Sequence, residues 1–195
     1  MPSVQESDSG LRARLVDVGV DLVAREGAQA LTLREIARRA GVSHGAPRRY
    51  FPTHLELLSA IARRGFEDLA HRATAAVGDG TAAPRAQLAE LGRVYLEFAL
   101  GNRGMYELMF RHDLLESGHL GLRDTSLPLF GRLLDLVGRA RPDVDARLVA
   151  GALWANLHGV AQLWGWGSLQ LATGADEFVP VLRSVLDAHL GLEGE

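Results

Sequence analysis

Helical periodicity runs through almost the whole chain and limits its fold more than any other feature. Apolar residues recur three and four positions apart, for example at Leu11, Leu15 and Val18, and this first run stops at Gly27. No stretch alternates apolar and polar residues for long enough, with hairpin turns between, to build a sheet. The pattern therefore predicts an all-α protein of about nine helices.

Composition excludes several classes of protein. The chain of 195 residues is 47% hydrophobic, which suffices for a core, but no run approaches the roughly 18 apolar residues that cross a bilayer. The first ten residues lack a signal-peptide pattern, so we expect a cytoplasmic protein. Cysteine is absent, and the sequence shows no carboxylate pair, nucleophile–base arrangement or phosphate loop. We therefore expect neither catalysis nor a cofactor.

Residues 32–51 carry the pattern of a helix-turn-helix. Thr32 and Glu35 form a capping box, in which the hydroxyl and the carboxylate each bind a backbone amide at the start of a helix. Toward the end of this helix, Ala37 is small enough for a close helix contact, and Gly41 tolerates the positive φ of a tight turn. An ordinary helical hairpin would show the same spacing, so the neighbouring residues decide between the two.

The residues after the turn favour DNA as the partner. Val42 is the apolar plug of the turn, and we expect Ser43 to open and cap the next helix, whose first amides can face a phosphate. Arg48 and Arg49 lie on the free face of that helix, where arginine binds guanine or a phosphate. Residues 31–64 hold seven arginines against two glutamates, although the whole chain has a net charge of −3. A solvated run of charge is the alternative.

The ordered segments Leu31–Ala37, Ala40–Ala46 and Tyr50–Pro52 closely resemble the N-terminal domain of the tetracycline-repressor (TetR) family. The resemblance implies a three-helix DNA-binding head on an all-helical domain that binds a ligand and dimerises, usually in a repressor that a small effector releases. The residues that we expect to contact DNA are Thr32, Arg34, Ser43, His44, Gly45, Arg48, Arg49, Tyr50 and His54.

The chain departs from the family pattern in two places. The family commonly has an aliphatic and then an aromatic residue where this chain has Pro47, Arg48 and Arg49, and it often has a phosphate-binding lysine where this chain has His54. Pro47 is compatible with a helix because it lies in the first turn, where backbone amides lack intrahelical acceptors. The departures preserve positive charge but leave the operator sequence open.

A small, flexible segment at residues 77–84 separates the head, expected at residues 8–68, from a second domain, expected at residues 84–192. We expect this second domain to bind an effector and to dimerise. It is similar to the C-terminal domain of a TetR subgroup named for a Trp-His-Gly signature. The similar segments are Tyr95–Leu100, Met105–Phe110 and Trp154–Gly159.

Aromatic and polar residues of the second domain are candidates for a small-molecule site. Large apolar side chains on two adjoining helices either fill a core or line a cavity, and both interpretations stay open. His158 lies among apolar residues, so it is either a satisfied core histidine or a group that contacts an effector. A mixed pocket would suit a small lipophilic effector with hydrogen-bonding groups. The candidates are Tyr95, Phe98, Tyr106, Met109, Phe110, Trp154, His158 and Gln162.

The helices expected near residues 145–165 and 176–190 have apolar residues on more than one face, such as Leu148 and Trp164. One face can meet the core and the other a partner, so we expect a homodimer through a four-helix bundle with two helices from each subunit. The two heads would then bind a pseudopalindromic site on double-stranded DNA, about one turn apart.

A second polar cluster suggests metal ligands at first sight. His112, Glu116 and His119 are spaced along one face of a possible helix, and Asp113 lies beside them. Gly118 makes that helix doubtful, and exposed polar residues at a helix end explain the pattern as well. We therefore expect no metal.

These features favour a DNA-binding regulator, acting as a homodimeric repressor, over two other hypotheses. One is a helical small-molecule-binding protein or enzyme that keeps the helix-turn-helix only as a scaffold. The other is an architectural DNA binder without an effector response, which a filled second domain would favour.

Overall fold

The computed structural model describes residues 4–117 and 120–192, with side chains from residue 10 onwards. Within these ranges the chain has eleven α-helices, one short 3₁₀-helix and no strand, which confirms the all-α prediction. None of the helices in the described ranges has both the length and the apolar character needed to cross a membrane.

The helices follow one another along the chain with short connections. They are α1 (Val4–Glu26), the 3₁₀-helix (Ala28–Ala30), α2 (Leu33–Arg39), α3 (Pro47–Tyr50), α4 (His54–Val77), α5 (Pro84–Gly101), α6 (Arg103–Met109), α7 (His112–Glu116), α8 (Arg123–Ala140), α9 (Ala146–Gly165), α10 (Ser168–Thr173) and α11 (Val179–Leu190). Periodicity did not predict α7 and α10, because helices of five and six residues are too short to show a repeat.

The chain divides into two compact units, which differ from the domains of residues 8–68 and 84–192 that the sequence suggests. The first unit is Met1–Glu67 with Asn102–Thr125, and the second is Asp68–Gly101 with Ser126–Glu195. Residues 102–125 join the first unit because α6 packs closely on α1. A Cβ atom on Gly104 would lie only 2.6 Å from the carbonyl oxygen of Val23.

The first unit is built around α1, which packs on α2, α3 and α6. Thr53 caps the start of α4, since its hydroxyl accepts from the Glu56 amide at 3.2 Å. Much of the core is formed by side chains of α1, α2 and α4 and of the residues that flank them, and α6 adds further buried side chains. The buried side chains from the first set of residues include Leu15, Leu22, Val23, Leu31, Ile36, Ala37, Phe51, Leu57, Leu58 and Ile61.

The second unit is built around α5, α9 and α11, which pack on one another. Asp145 caps α9 by accepting from the amides of Arg147 and Leu148 at 3.0 and 3.2 Å. One face of α9 is buried through Ala150, Leu153, Leu157, Val160 and Ala161. The opposite face is exposed and carries a row of apolar residues, which we call the outer stripe of α9: Leu148, Ala152, Ala155 and Leu163.

Candidate nucleic-acid interface and ligand cluster

The start of α2 is capped by Thr32, whose hydroxyl accepts from the Glu35 amide at 3.2 Å. This confirms the first half of the capping box. The reciprocal half is wrong, because the Thr32 amide donates to the Ala30 carbonyl at 2.9 Å and the Glu35 carboxylate accepts from Arg38 and Arg39. The Thr32 hydroxyl is thus already engaged in holding the first turn of α2.

The turn after α2 has the geometry that its sequence predicts. Gly41 has a φ of 67°, in the left-handed region where glycine is favoured. Its amide donates to the Arg38 carbonyl at 3.2 Å, and the Val42 amide donates to the Ala37 carbonyl at 3.0 Å. These two bonds form a Schellman motif, which ends α2 sharply and turns the chain toward α3.

The third helix begins later than the sequence suggests, so the prediction that Ser43 opens and caps it is wrong. Pro47 is the first residue of α3, and Ala46 stands at its N-cap. Proline has no amide hydrogen, so residue 47 cannot donate to the Ser43 carbonyl as a longer helix would require. The Ala46 amide donates to that carbonyl instead, at 3.0 Å, and makes a turn.

This turn and α3 expose one continuous set of polar and charged residues. Pro47 and Phe51 are buried and Tyr50 is half-buried, so the segment is anchored on one side only. On the other side it is open to solvent. Together with Arg34 of α2, the exposed residues form what we call the recognition surface: Arg34, Ser43, His44, Gly45, Arg48 and Arg49.

The seven arginines of residues 31–64 fall into two groups. Four are bonded within the protein, to carboxylates or to backbone carbonyls: Arg38, Arg39, Arg63 and Arg64. The other three, Arg34, Arg48 and Arg49, form no hydrogen bond or ion pair with any residue in the described ranges. Their guanidinium groups keep all their donors available for an external anion.

Glu35 pairs with two of the three arginines of α2. A hydrogen bond from Arg38, which has the largest effect, and one from Arg39 lower the pKa of Glu35 to about 2. Arg39 also binds Glu26 of α1 at 2.5 Å, so this arginine connects two helices. The arginines of α2 that bind Glu35 are therefore ion-paired at neutral pH, whereas Arg34, Arg48 and Arg49 of the recognition surface have no carboxylate partner among the described residues.

His54 has a contact that sequence reasoning missed. Its Nε2 atom lies 2.6 Å from the Leu31 carbonyl, to which it donates because a carbonyl only accepts. This bond ties the first residue of α4 to the residue that precedes the cap of α2. The Nε2 atom that could have met a DNA phosphate is thus bonded within the protein.

Three of the predicted ligand residues lie in the first unit. Tyr106 and Met109 are 3% and 0% exposed. The ring of Phe110 packs against Tyr106, with centroids 4.9 Å apart, and against Phe66, with centroids 5.6 Å apart. These side chains help to fill the core of that unit.

The other candidates lie in the second unit, where two helices bring a polar pair together. The Tyr95 hydroxyl and Nδ1 of His158 share a hydrogen bond of 3.0 Å. The Trp154 ring meets His158 edge-on at 6.3 Å and Phe130 at 6.2 Å. We call Tyr95, Phe130, Trp154 and His158 the Tyr95–His158 cluster. Sequence reasoning missed Phe130 because it lies on α8, far away in the chain, with no local signal.

Burial lowers the pKa of His158, so its imidazole is neutral at pH 7. A neutral imidazole has one donor and one acceptor nitrogen, and Nδ1 is the nitrogen that shares the bond with Tyr95. Gln162, one turn further along α9, is half-buried. Phe98 is buried, with the Arg72 guanidinium 5.6 Å from the centre of its ring.

Three of the polar residues that suggested a metal site near residue 112 have partners within the protein. His112 lies 3.2 Å from Glu116, and Asp113 binds Arg111 at 2.6 Å, which lowers the pKa of Asp113. His119, the fourth residue considered as a metal ligand, lies outside the described residues. Within the described ranges, no three histidine or acidic side chains are grouped so that they could hold a metal ion.

Comparison with known proteins covers both units. Residues 15–61 match the family model for bacterial regulatory proteins of the tetR family, and residues 88–186 match the model for a tetracyclin repressor-like C-terminal domain. The HTH-type transcriptional repressor Rv3405c of Mycobacterium tuberculosis is 31% identical over 181 residues, which are 91% of this chain and 83% of that protein.

Solved structures show the same architecture. A protein with unknown function from Rhodococcus sp. RHA1 has a TM-score of 0.72 and 27% identity, over 92% of this chain and 93% of that one. The multidrug binding protein EbrR, complexed with imidazole, has a TM-score of 0.62 and 26% identity, over 94% of this chain and 96% of that one.

Proposed function

The chain belongs to the TetR family of bacterial regulatory proteins and is a DNA-binding transcriptional regulator, and from this premise we propose that it is a homodimeric repressor that a small effector releases from its operator. The observation that carries the proposal is the group of three arginines, Arg34, Arg48 and Arg49, that remain unpaired among the described residues while the other four arginines of residues 31–64 are bonded internally. The M. tuberculosis relative is named as a transcriptional repressor, which supports the direction of regulation.

The recognition surface suits the major groove of DNA. In helix-turn-helix proteins the second helix lies in this groove, where its exposed residues reach base edges and phosphates. Arginine binds guanine through two hydrogen bonds or neutralises a phosphate. His44 and Gly45 are exposed in the turn that precedes α3, so the backbone there can approach the DNA closely.

A gel-shift assay with the DNA upstream of the chain's own gene tests this function. We expect a retarded complex that contains two protomers, with an affinity that falls as the salt concentration rises, because bound arginines release counterions from the phosphates. A fragment of equal length from inside the coding region is the control. A failure to retard the upstream DNA more than this control, even at about 50 mM salt, would contradict the proposal.

The outer stripe of α9 supports the homodimer. Its ends are Leu148 and Leu163, whose side chains are 71% and 39% exposed, and small alanines lie between them. Exposed apolar rows of this kind mark surfaces that bind another protein. Since α11 packs on α9, we infer that both helices pair with the same helices of a second copy around a two-fold axis.

The Tyr95–His158 cluster supports a small effector with an aromatic ring and a hydrogen-bonding group. Aromatic rings of Trp154 and Phe130 provide apolar contacts, and the neutral imidazole of His158 provides a polar one. Trp154, His158 and Gly159 also agree with the Trp-His-Gly subgroup. The similarity to EbrR, a multidrug binding protein, supports a ligand-binding role.

Screening single-ring phenols and heteroaromatic compounds for release of the gel-shift complex tests the effector site. For a compound that releases the wild type, we expect Tyr95→Phe and His158→Leu to bind DNA normally but to need about tenfold more compound, because each loses a polar contact. The exposed His71 of α4 provides the matched control, His71→Leu. Equal sensitivity of all the variants would place the effector elsewhere.

A further inference from the structure

We propose that the first compact unit holds a second ligand site, which binds a small carboxylate behind the recognition surface. The site is a pocket of about 200 Å³ between α1, the end of α3, the first turns of α4 and Leu120. All its lining residues belong to the first unit. A cavity of about 150 Å³ already takes up benzene, so a molecule with one ring fits this pocket.

Ser59 of α4 gives the first indication of an occupant. Its side chain is among the lining residues, yet the residue is only 3% exposed. The hydroxyl forms no hydrogen bond with any described residue, not even with the carbonyl one turn earlier in its own helix. Buried polar groups nearly always form hydrogen bonds, because a buried hydroxyl without a hydrogen-bond partner is energetically unfavourable. Rotation of the Ser59 side chain toward the pocket that this residue lines would let a polar ligand supply the missing partner.

The charges that line the pocket determine the kind of ligand. Arg12, Arg63 and Glu56 contribute two positive charges and one negative charge, so the pocket attracts a single anionic group. Arg63 is largely hydrogen-bonded within the protein, since its Nη atoms donate to the hydroxyl of Thr125 at 3.1 Å and to the carbonyl of Leu120 at 3.1 Å. Arg12 is therefore the main donor for a ligand.

Arg12 is held in place without losing its donors. Its guanidinium lies over the ring of Phe51, 4.9 Å from the centroid, in a cation–π contact. It forms no hydrogen bond or ion pair with a described residue, and neither does the carboxylate of Glu56, although both line the same pocket. A planar guanidinium fixed by an aromatic ring matches a carboxylate through two parallel hydrogen bonds.

The occupant is thus a small monocarboxylate, whose acid group binds Arg12 and whose second polar atom or bound water reaches Ser59. Its apolar part lies beside Ala60 and Leu120. Tyr50 and Phe51 also line the pocket, so the ligand contacts the end of α3. This site is separate from the Tyr95–His158 cluster, all of whose residues belong to the second unit.

Isothermal titration of the full-length protein with sodium benzoate, and with benzyl alcohol as the neutral analogue, tests this proposal. We expect benzoate to bind at one site per chain and benzyl alcohol to bind at least about tenfold more weakly, since it lacks the charge-assisted hydrogen bonds. Arg12→Gln should weaken benzoate binding by a similar factor. Arg14→Gln, which changes an exposed arginine of the same helix outside the pocket, should leave it unchanged.

Two further variants locate the site. Ala60→Leu should abolish benzoate binding by filling the pocket, and His158→Leu should leave it unchanged because the second unit is not involved. Circular dichroism checks that each variant is folded. If Ala60→Leu does not fold, the comparison of Arg12→Gln with Arg14→Gln still tests the proposal. The proposal is overturned if benzoate does not bind the wild type, if benzyl alcohol binds equally well, or if Arg12→Gln and Arg14→Gln behave alike.

Discussion

Replacement of both Arg48 and Arg49 by alanine should lower the affinity for the operator by about thirtyfold or more, because each head loses two arginines that we propose contact guanine or phosphate. Both side chains are exposed and form no bond with a described residue, so their removal leaves the packing of the head unchanged. Gel-shift titration at fixed salt measures the affinity. Circular dichroism and light scattering should show a normal fold and the wild-type oligomeric state.

A control with the same loss of charge separates this effect from a general reduction of positive charge. Arg38→Ala with Arg93→Ala also removes two arginines, but each of these is already paired with glutamate, at 2.6 Å from Glu35 and 2.7 Å from Glu90. We expect this variant to lose much less affinity. If a folded Arg48→Ala, Arg49→Ala protein bound the operator as well as this control does, the assignment of the recognition surface would be wrong.

The salt dependence of binding distinguishes the roles of the two arginines. A lost phosphate contact flattens the slope of log affinity against log salt by about one per contact and weakens all DNA sequences alike. A lost guanine contact leaves the slope nearly unchanged and relaxes the preference at one base pair. Single Arg48→Ala and Arg49→Ala variants, titrated against the operator and against unrelated DNA, therefore assign each side chain to a base or to a phosphate.

Ala155→Arg should convert the protein to a monomer and lower operator affinity by about a hundredfold or more, since two joined heads bind far better than one. Ala155 is exposed near the middle of the outer stripe of α9. A long charged side chain there prevents the close approach of a second helix while leaving the buried face of α9 intact. Size-exclusion chromatography with light scattering measures the mass, and gel shift measures the affinity.

The matched control for the dimer is Ala86→Arg, which places the same side chain at an exposed alanine of α5. This variant should keep the wild-type mass and affinity. A dimeric Ala155→Arg protein would show that the outer stripe of α9 is not the interface. A monomeric protein with full operator affinity would show that dimerisation is not needed for binding.

Sequence reasoning succeeded where the deciding interactions are local. The turn after α2 depends on Ala37, Gly41 and Val42, which lie within six residues, and a φ of 67° at Gly41 follows from the known preference of glycine. The cap at Thr32 is likewise set by a residue three positions away. The exposure of Arg48 and Arg49 follows from the anchoring of their neighbours Pro47 and Phe51.

The features that sequence reasoning missed depend on distant partners. The bond from His54 to the Leu31 carbonyl joins two helices, and the place of α6 in the first unit depends on a close approach of Gly104 to Val23. Neither contact leaves a periodic signal. The late start of α3 was in principle predictable, because a proline at position 47 removes the amide that a helix beginning at Ser43 would need.

Gly41 shows what kind of residue the turn between α2 and α3 admits. A Cβ atom built on Gly41 meets no described atom within 4 Å, so volume does not restrict this position. The restriction is one of handedness, because a left-handed φ brings the Cβ atom of an L-residue too close to its own backbone, whatever the size of the side chain. By the same argument, a mirror-image residue such as D-alanine would adopt this φ without that backbone strain. The helix-turn-helix is therefore specified at this point by chirality and not by space.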